Sequence, residues 1–519
     1  MNLFRKPTAV VLMALFVATL CGSLMLADER PNIVFILCDD LGYGDVGCNN
    51  PECKIPTPHV DQLAAEGMRF TDAHTTSSVC TPTRYGVITG RYNWRSRLQT
   101  GVLGGLSPRL IEPGRLTVAE MLRQNGYHTA CIGKWHLGMD WARKADTGQF
   151  EDNIEKGPEG WDVDFTKPTT NGPNTVGFDY YFGIAASLDM VPYTYIENDR
   201  VTVLPTIDNA FPMMLGKASQ TRRGPAAAEF DAMNVLPDLA EKAAQYIGQR
   251  AESGKPFFLY LPLASPHTPI VPSPEWQGKS GLNPYADFVM ETDHYVGLVL
   301  DAIQNHGLTA NTLVFFTSDN GCSPQADFPA LAEKGHDPSH IYRGHKADIW
   351  DGGHRVPFIV RWPGRVKAGS TSDQLASLVD FQATCAEVLG VKLPDDAAED
   401  SVSLLPVLLD KATGPVREAL VHHSINGKFS IRQGRWKLEL CPGSGGWSAP
   451  RDPQAVKQGL PAVQLYDIQA DPAEEKNVEA EHPDVVKQLT DLLERYVTQG
   501  RSTPGAPQKN AVAVDIWKK

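Results

Sequence analysis

The chain has 519 residues, 42% of them hydrophobic and 21% charged, which is enough for one large core plus a smaller one and ordinary for a folded globular protein. Lys and Arg number 48 against 61 Asp and Glu, a formal charge of −13 that argues against nucleic acid or an anionic membrane surface as the main partner. A local basic pocket remains compatible with that balance.

In chain order, Arg5 and Lys6 precede an apolar run from Ala9 to Leu20, with Ala27 placed as the residue before a cleavage site. Residues 1–27 therefore read as a secretory signal peptide and are set apart from the fold. A lipoprotein reading through Cys21 is weaker, because Leu20 is bulky for the position before such a cysteine. No later stretch is long and apolar enough to span a bilayer, so a secreted or periplasmic protein without a stable membrane span is expected. The absence of any NxS or NxT sequon favours the periplasm. Of nine cysteines, setting aside Cys21 and Cys80 leaves an odd number, which argues against a complete disulfide framework. Cys48 and Cys53 sit close enough in sequence to close a small loop, and that question is left open.

Short β-branched and aromatic runs follow: Asn32 to Leu37, Thr129 to Ile132, Phe257 to Leu263, Thr312 to Thr317 and Phe358 to Arg361. Helical patterns separate them, including Val118 to Gln124 and His294 to Gln304, and this alternation predicts an α/β sheet with helices on both faces. Thr57, Pro58 and Gly67 predict the cap, first turn and stop of a helix. Long loops are expected from Trp141 to Pro173 and from Ile207 to Pro225. Beyond a thinning of the pattern between Ala397 and Pro415, short strands and a helix from Asp484 to Thr498 predict a second, smaller domain. The expected division is 28–410 and 411–519.

Ligand crevices of open α/β sheets lie beyond the carboxyl ends of the strands. Four such ends carry polar residues here: Asp39 and Asp40, Lys134 and His136, His267, and Asp319 and Asn320. The acids and amide offer only oxygen, the donor set of a hard divalent cation such as Ca²⁺ or Mg²⁺. Each pair alone would serve equally as a turn former. With Arg84, Lys134, His136, His267 and Lys346 in addition, one cavity would combine a cation with basic side chains, a setting for an anionic oxyester whose charge moves to its leaving oxygen.

Cys80, Pro82 and Arg84, followed by Thr89-Gly90, spell CxPxRxxxxTG. Together with PNIVFILCDDLGYGD, GYHTACIGKWHLG, PHTP, SDNG, GHKADIWDGGHRVPFIVRWPG and LYDIQADPAEEKN, this order of motifs resembles the type I sulfatases over nearly the whole chain after residue 27. Thr83 departs from the serine frequent in that family, at a position the motif tolerates. The resemblance implies a large mixed sheet sandwiched by helices, alkaline-phosphatase-like, with a smaller C-terminal α+β domain. It implies that a maturation enzyme converts Cys80 to Cα-formylglycine. Asp39, Asp40, residue 80, Asp319 and Asn320 would hold the cation, Ca²⁺ or Mg²⁺. Arg84 would orient residue 80, Lys134 and His136 would contact its hydroxyls, and Lys346 and His267 would bind sulfate and assist the leaving oxygen.

A hydrated aldehyde attacks with one hydroxyl and keeps a second for expelling the sulfate, which serine cannot do. The expected substrate is an aryl sulfate or a sulfated carbohydrate, with a 6-O-sulfated hexosamine or galactose unit as the favoured form. Trp94, Arg95 and Arg97, with the Trp141 to Trp161 loop, are candidates for a sugar platform. The alternatives are a phosphonate or phosphate ester hydrolase on the same scaffold and a noncatalytic binder of sulfated glycans.

Overall fold

The computed structural model describes residues 30–145, 148–152 and 157–518. The expected signal peptide lies outside them. Ten strands form one sheet: β1 (Asn32–Asp39), β2 (Met68–Phe70), β3 (His128–Lys134), β4 (Tyr180–Ile184), β5 (Ile196–Glu197), β6 (Arg200–Val201), β7 (Phe257–Pro266), β8 (Thr312–Ser318), β9 (Phe358–Arg361) and β10 (Ser370–Ser372). Their spatial order is β10-β2-β9-β8-β1-β7-β3-β4-β5-β6. The middle, from β8 to β4, is parallel, while β9 and β5 run antiparallel to their inner neighbours, so the sheet is mixed.

The apolar strand runs leave no polar face because both faces are covered. Along β1 the pleat sends Val34, Ile36 and Cys38 into one core and Ile33, Phe35 and Leu37 into another. Helices α1 (Pro58–Glu66), α4 (Val235–Ser253) and α5 (Pro284–Asn305) contribute to the first core, and α2 (Cys80–Thr89), α3 (Val118–Gln124) and α6 (Phe381–Val388) to the second. Phe35 meets Phe381 at 4.4 Å and Phe315 at 5.8 Å between ring centroids, an aromatic contact whose truncation to alanine would cost about 3–5 kcal/mol.

The α1 boundaries match expectation, but the cap does not. The Thr57 hydroxyl accepts from the Gly47 amide at 2.9 Å instead of from its own helix. The amides of His59 and Val60 donate to Asp293 on α5 at 3.1 and 2.9 Å. A carboxylate from a distant segment thus does the work that sequence assigns to the local threonine. Asp293→Ala is expected to lower stability by about 1–2 kcal/mol, read as a lower denaturant midpoint; an unchanged midpoint would return the cap to Thr57.

The segment from Ile207 to Pro225 is less irregular than expected, since Ile207–Asn209 pairs with Gly224–Ala226 as a two-stranded ribbon. Cys48 and Cys53 are free thiols, and the Cys53 thiol donates to the Ile55 carbonyl at 3.4 Å. Trp94 is 1% exposed, stacked on Tyr92 at 5.5 Å with the Arg95 guanidinium 4.2 Å above it, and Arg95 itself pairs with buried Asp400 at 2.8 Å. Trp141 packs edge-on against Phe165. Trp94, Arg95 and Trp141 are core and drop out of the expected sugar platform, while Arg97 keeps 35% of its side chain exposed and pairs with Asp152.

Toward the C-terminus, β11 (Leu420–His423), β12 (Phe429–Gln433), β13 (Trp436–Glu439) and β14 (Gln464–Asp467) make an antiparallel meander. Helix α7 (Pro483–Gln499) buries Leu489, Leu492, Leu493 and Tyr496 in a core shared with Val421, Ile431 and Leu438. Among the described residues no helix is long and apolar enough to cross a membrane.

Candidate active site

Four parallel neighbours, β8, β1, β7 and β3, end along one edge, and the residues at and just past those ends meet there. Backbone geometry helps to aim them. Asp40 (φ 66°) and His136 (φ 55°) adopt left-handed conformations just past β1 and β3, a strained choice that turns their side chains away from the strand direction. At Gly133 a Cβ would stand 2.0 Å from the Pro262 carbonyl, so only glycine lets β3 approach β7 ahead of Lys134 and His136.

Helix α2 begins at Cys80 and ends at Gly90, whose φ of 62° is the left-handed stop that the TG pair supplies. Cys80 is 2% exposed. Burial raises its thiol pKa; Lys134 and Lys346 pull the other way, and Asp319 and Asp39 add to the rise, which places the sulfur within the field of the whole cluster.

Charges interlock around it. Lys134 Nζ lies 2.5 Å from Asp39 Oδ2, and Arg84 donates to Asp319 Oδ2 through Nε and Nη2 at 3.0 and 2.7 Å. Arg84 Nη1 donates to the Lys134 carbonyl at 2.9 Å. Lys346 Nζ reaches the Asp40 carboxylate at 2.7 Å, and Asn320 Nδ2 donates to Asp40 Oδ1 at 2.7 Å. Three buried carboxylates thus face three side-chain cations. Against the opposing effect of burial, Lys134, His267 and Arg84 hold Asp39 far below the usual carboxylate range, whereas burial and the Asp39 charge push Asp319 upward.

Two histidines have their tautomers fixed by backbone carbonyls. His136 Nε2 donates to the Leu103 carbonyl at 2.7 Å, leaving Nδ1 buried without a hydrogen-bond partner. Burial, then Lys134 and Arg84, lowers its pKa well below the ordinary histidine value, so the ring is neutral and Nδ1 carries a free lone pair. His267 Nδ1 donates to the Thr268 carbonyl at 2.6 Å, and Nε2 lies 3.7 Å from Asp40 Oδ2. These carbonyls left no trace in the sequence, since every residue has one. His267 and Lys346, at 6% and 5% exposure, form the solvent side of an otherwise closed cluster.

The donor set fits a hard divalent cation. Asp39 Oδ1 and Asn320 Oδ1 are buried acceptors with no hydrogen bond, and Asp39, Asp40 and His267 bring ligand atoms within 4.8 Å of one another. A divalent ion among these oxygens would also relieve the Asp39–Asp319 repulsion. The GYGD turn beside the site is structural: Asp45 accepts from the Gly42 amide at 2.7 Å, from the Tyr285 hydroxyl at 2.5 Å and from His336 Nε2 at 2.9 Å.

This constellation stands on a chain whose residues 31–391 match the family model for sulfatases. The chain belongs to the type I sulfatase family. Residues 345–440 of the sulfatase also match the model of the N-sulphoglucosamine sulphohydrolase C-terminal region. The sulfatase is 35% identical to an N-acetylgalactosamine-6-O-sulfatase of Bacteroides thetaiotaomicron, over 91% of this chain and 94% of that protein. It is 32% identical to human arylsulfatase A over 91% and 90% of the two chains. A solved structure described under the metabolism of multiple glycosaminoglycans by Bacteroides thetaiotaomicron superposes with a TM-score of 0.76 at 34% identity, covering 90% of this chain and 99% of that one. The sulfatase is a sulfuric ester hydrolase.

Proposed function

We propose that this sulfatase removes sulfate from a sulfated carbohydrate, using a formylglycine hydrate made from Cys80 and a divalent cation, Ca²⁺ or Mg²⁺, held by Asp39, Asp40, residue 80, Asp319 and Asn320. The observation that carries the reading is a thiol opening a helix inside a closed ring of three carboxylates and three cations. A buried thiol with a raised pKa is a poor nucleophile and a poor hard ligand, so this position makes chemical sense as a precursor.

A hydrate at residue 80 would supply one hydroxyl for attack on sulfur and a second whose deprotonation would expel sulfate as the C–O bond breaks and the aldehyde re-forms, and a cation held by these residues would neutralise the oxygens on which charge collects. His136 Nδ1, neutral and unpartnered, takes the proton of the second hydroxyl. Arg84, anchored on Asp319 and the Lys134 carbonyl, holds residue 80 in register. Lys346 binds the sulfate oxygens at the mouth, and His267, its Nδ1–H held by the Thr268 carbonyl, acts in its imidazolium form and hands the second ring proton from Nε2 to the leaving oxygen. His136→Asn, which tolerates the positive φ, is expected to lower kcat by about 10²–10⁴-fold with little change in KM; an unchanged kcat would remove His136 from this role.

Charge balance favours sulfate over phosphate. The buried carboxylates and basic side chains cancel, so a bound divalent cation matches one singly charged ester plus one ionised hydroxyl, and a dianionic phosphate monoester would leave an uncompensated charge. Similarity to the 6-O-sulfatase supports a 6-O-sulfated hexosamine or galactose as the substrate unit. Arg5, Lys6 and the apolar run after them support export to the periplasm or medium. The change from the ten-stranded sheet to the meander supports a division into 28–410 and 411–519.

The test is the mass of the tryptic peptide ending at Arg84, from protein made in a host with the maturation enzyme, followed by turnover of 6-O-sulfated N-acetylgalactosamine, N-acetylglucosamine and galactose beside an aryl sulfate and an aryl phosphate. An aldehyde or hydrate at residue 80 with 6-O-desulfation is expected. An unmodified thiol would bring forward the glycan-binding reading, and faster phosphate cleavage the phosphoesterase one.

A further inference from the structure

Away from the catalytic cluster, three histidines meet where the meander docks on the large sheet: His74 beyond β2, His354 ahead of β9 and His422 within β11. All three are fully buried. Each ring commits one nitrogen to an oxygen: His74 Nε2 to Asp72 Oδ1 at 2.9 Å, His354 Nε2 to the Ile349 carbonyl at 3.0 Å, and His422 Nδ1 to the Thr75 carbonyl at 3.0 Å. Carbonyl and carboxylate oxygens only accept, so these three nitrogens carry the ring protons. Arg432 Nη1 stands 3.3 Å from His74 Nε2, but it also donates to Asp72 Oδ1 at 2.6 Å and is satisfied there.

The other nitrogens are then lone pairs. His74 Nδ1 and His354 Nδ1 face each other at 3.0 Å, and His422 Nε2 has no hydrogen-bond partner. One nitrogen from each ring lies within 4.8 Å of the other two. A proton shared between the first two would satisfy them and leave the third buried without a partner; a metal ion accepts all three. We infer that His74, His354 and His422 form a second metal site, for a borderline divalent transition-metal ion of the Zn²⁺ class, clipping the C-terminal meander to the segment that leads into residue 80.

The chemistry of the surroundings agrees. Neutral imidazoles suit such ions, and burial keeps all three rings below the usual histidine range, His74 down to about 4. Outward hydrogen bonds to carboxylate or carbonyl oxygen are how ligating histidines are oriented. Zn–N bonds of about 2.0–2.1 Å put tetrahedral ligands about 3.3 Å apart, near the 3.0 Å between His74 Nδ1 and His354 Nδ1. The His354 and His422 rings stack at 3.9 Å and 12°, so uptake turns one ring to splay the pair. Asp72 and Asp351 pair with Arg355, Arg432 and Lys437 around the site, and Lys437 also reaches Glu439 and Glu474. Asp72, Arg355 and Arg432, which pair beside the histidines, line a surface cleft of about 1370 Å³. From His74 the chain needs only six residues to reach position 80, and Ser77 bridges to His423, so the clip would steady the nucleophile's approach.

The experiment strips the full-length mature enzyme of metal, saturates the oxygen site with excess Ca²⁺, then supplies Zn²⁺ and, separately, Co²⁺. Wild type is expected to retain one more equivalent of Zn²⁺ than His422→Gln, to gain thermal stability on Zn²⁺ addition where the variant does not, and to give the visible absorption of four-coordinate nitrogen-bound Co²⁺. Asp72→Asn should weaken Zn²⁺ binding by about 10–100-fold. Equal Zn²⁺ retention by wild type and His422→Gln, or folded wild type that takes up none, would overturn the proposal. Should His422→Gln fail to fold, the wild-type Co²⁺ spectrum decides alone, since an all-oxygen, six-coordinate signal would count against the histidines.

Discussion

Replacing Cys80 by serine is expected to cut multiple turnover by about 10⁶-fold, the scale on which a covalent hydrolase loses rate when its nucleophile is removed, while the protein remains folded. Serine supplies one hydroxyl and can attack once, but the ester it forms has no neighbouring hydroxyl to collapse and release sulfate. The fold should survive because Cys80 begins α2 and the exchange changes one atom at a 2% exposed position. A buried hydroxyl left unsatisfied would cost about 1–3 kcal/mol, well below the stability of a domain of this size. The measurement is steady-state sulfate release beside a circular-dichroism melt. Sustained turnover at the wild-type rate would refute the proposed role of residue 80.

Asp319→Asn is the second large effect. It keeps the volume and removes one of three buried negative charges, so bound Ca²⁺ or Mg²⁺ and kcat/KM should fall together by about 100-fold or more, beyond what loss of an outer partner causes. Arg84 would lose its charged partner at 2.7 Å but keep Asp39 at 3.6 Å and the Lys134 carbonyl at 2.9 Å. A broken buried pair costs about 3–5 kcal/mol, so a lower melting temperature should accompany the loss of activity. Unchanged cation content by elemental analysis would take Asp319 out of the ligand set. Adding excess Ca²⁺ should restore part of the activity if weakened binding is the cause, and none if the damage is to Arg84.

Much of the scaffold was legible because its signals are local. Apolar runs bounded by polar clusters gave β1, β3, β7, β8 and β9; Pro58 and Gly67 bracketed α1; and the meander and α7 followed the same logic. The errors came where one residue type serves two environments. Thr57 looked like a cap and spends its hydroxyl on Gly47, and Trp94 with Arg95 looked like a sugar surface and is interior, stacked and ion-paired to Asp400.

By itself the sequence determined the chemistry on offer: a thiol in a modification motif, oxygen donors and basic side chains at strand ends, and a family resemblance spread along the chain. Only the tertiary structure decided which nitrogen of each histidine is free. The Leu103 and Thr268 carbonyls that fix His136 and His267 come from backbone groups every residue possesses, and the meeting of His74, His354 and His422 joins three segments far apart in the chain. Proton inventory and long-range packing are properties of three-dimensional neighbours, and a linear string of side chains does not contain them.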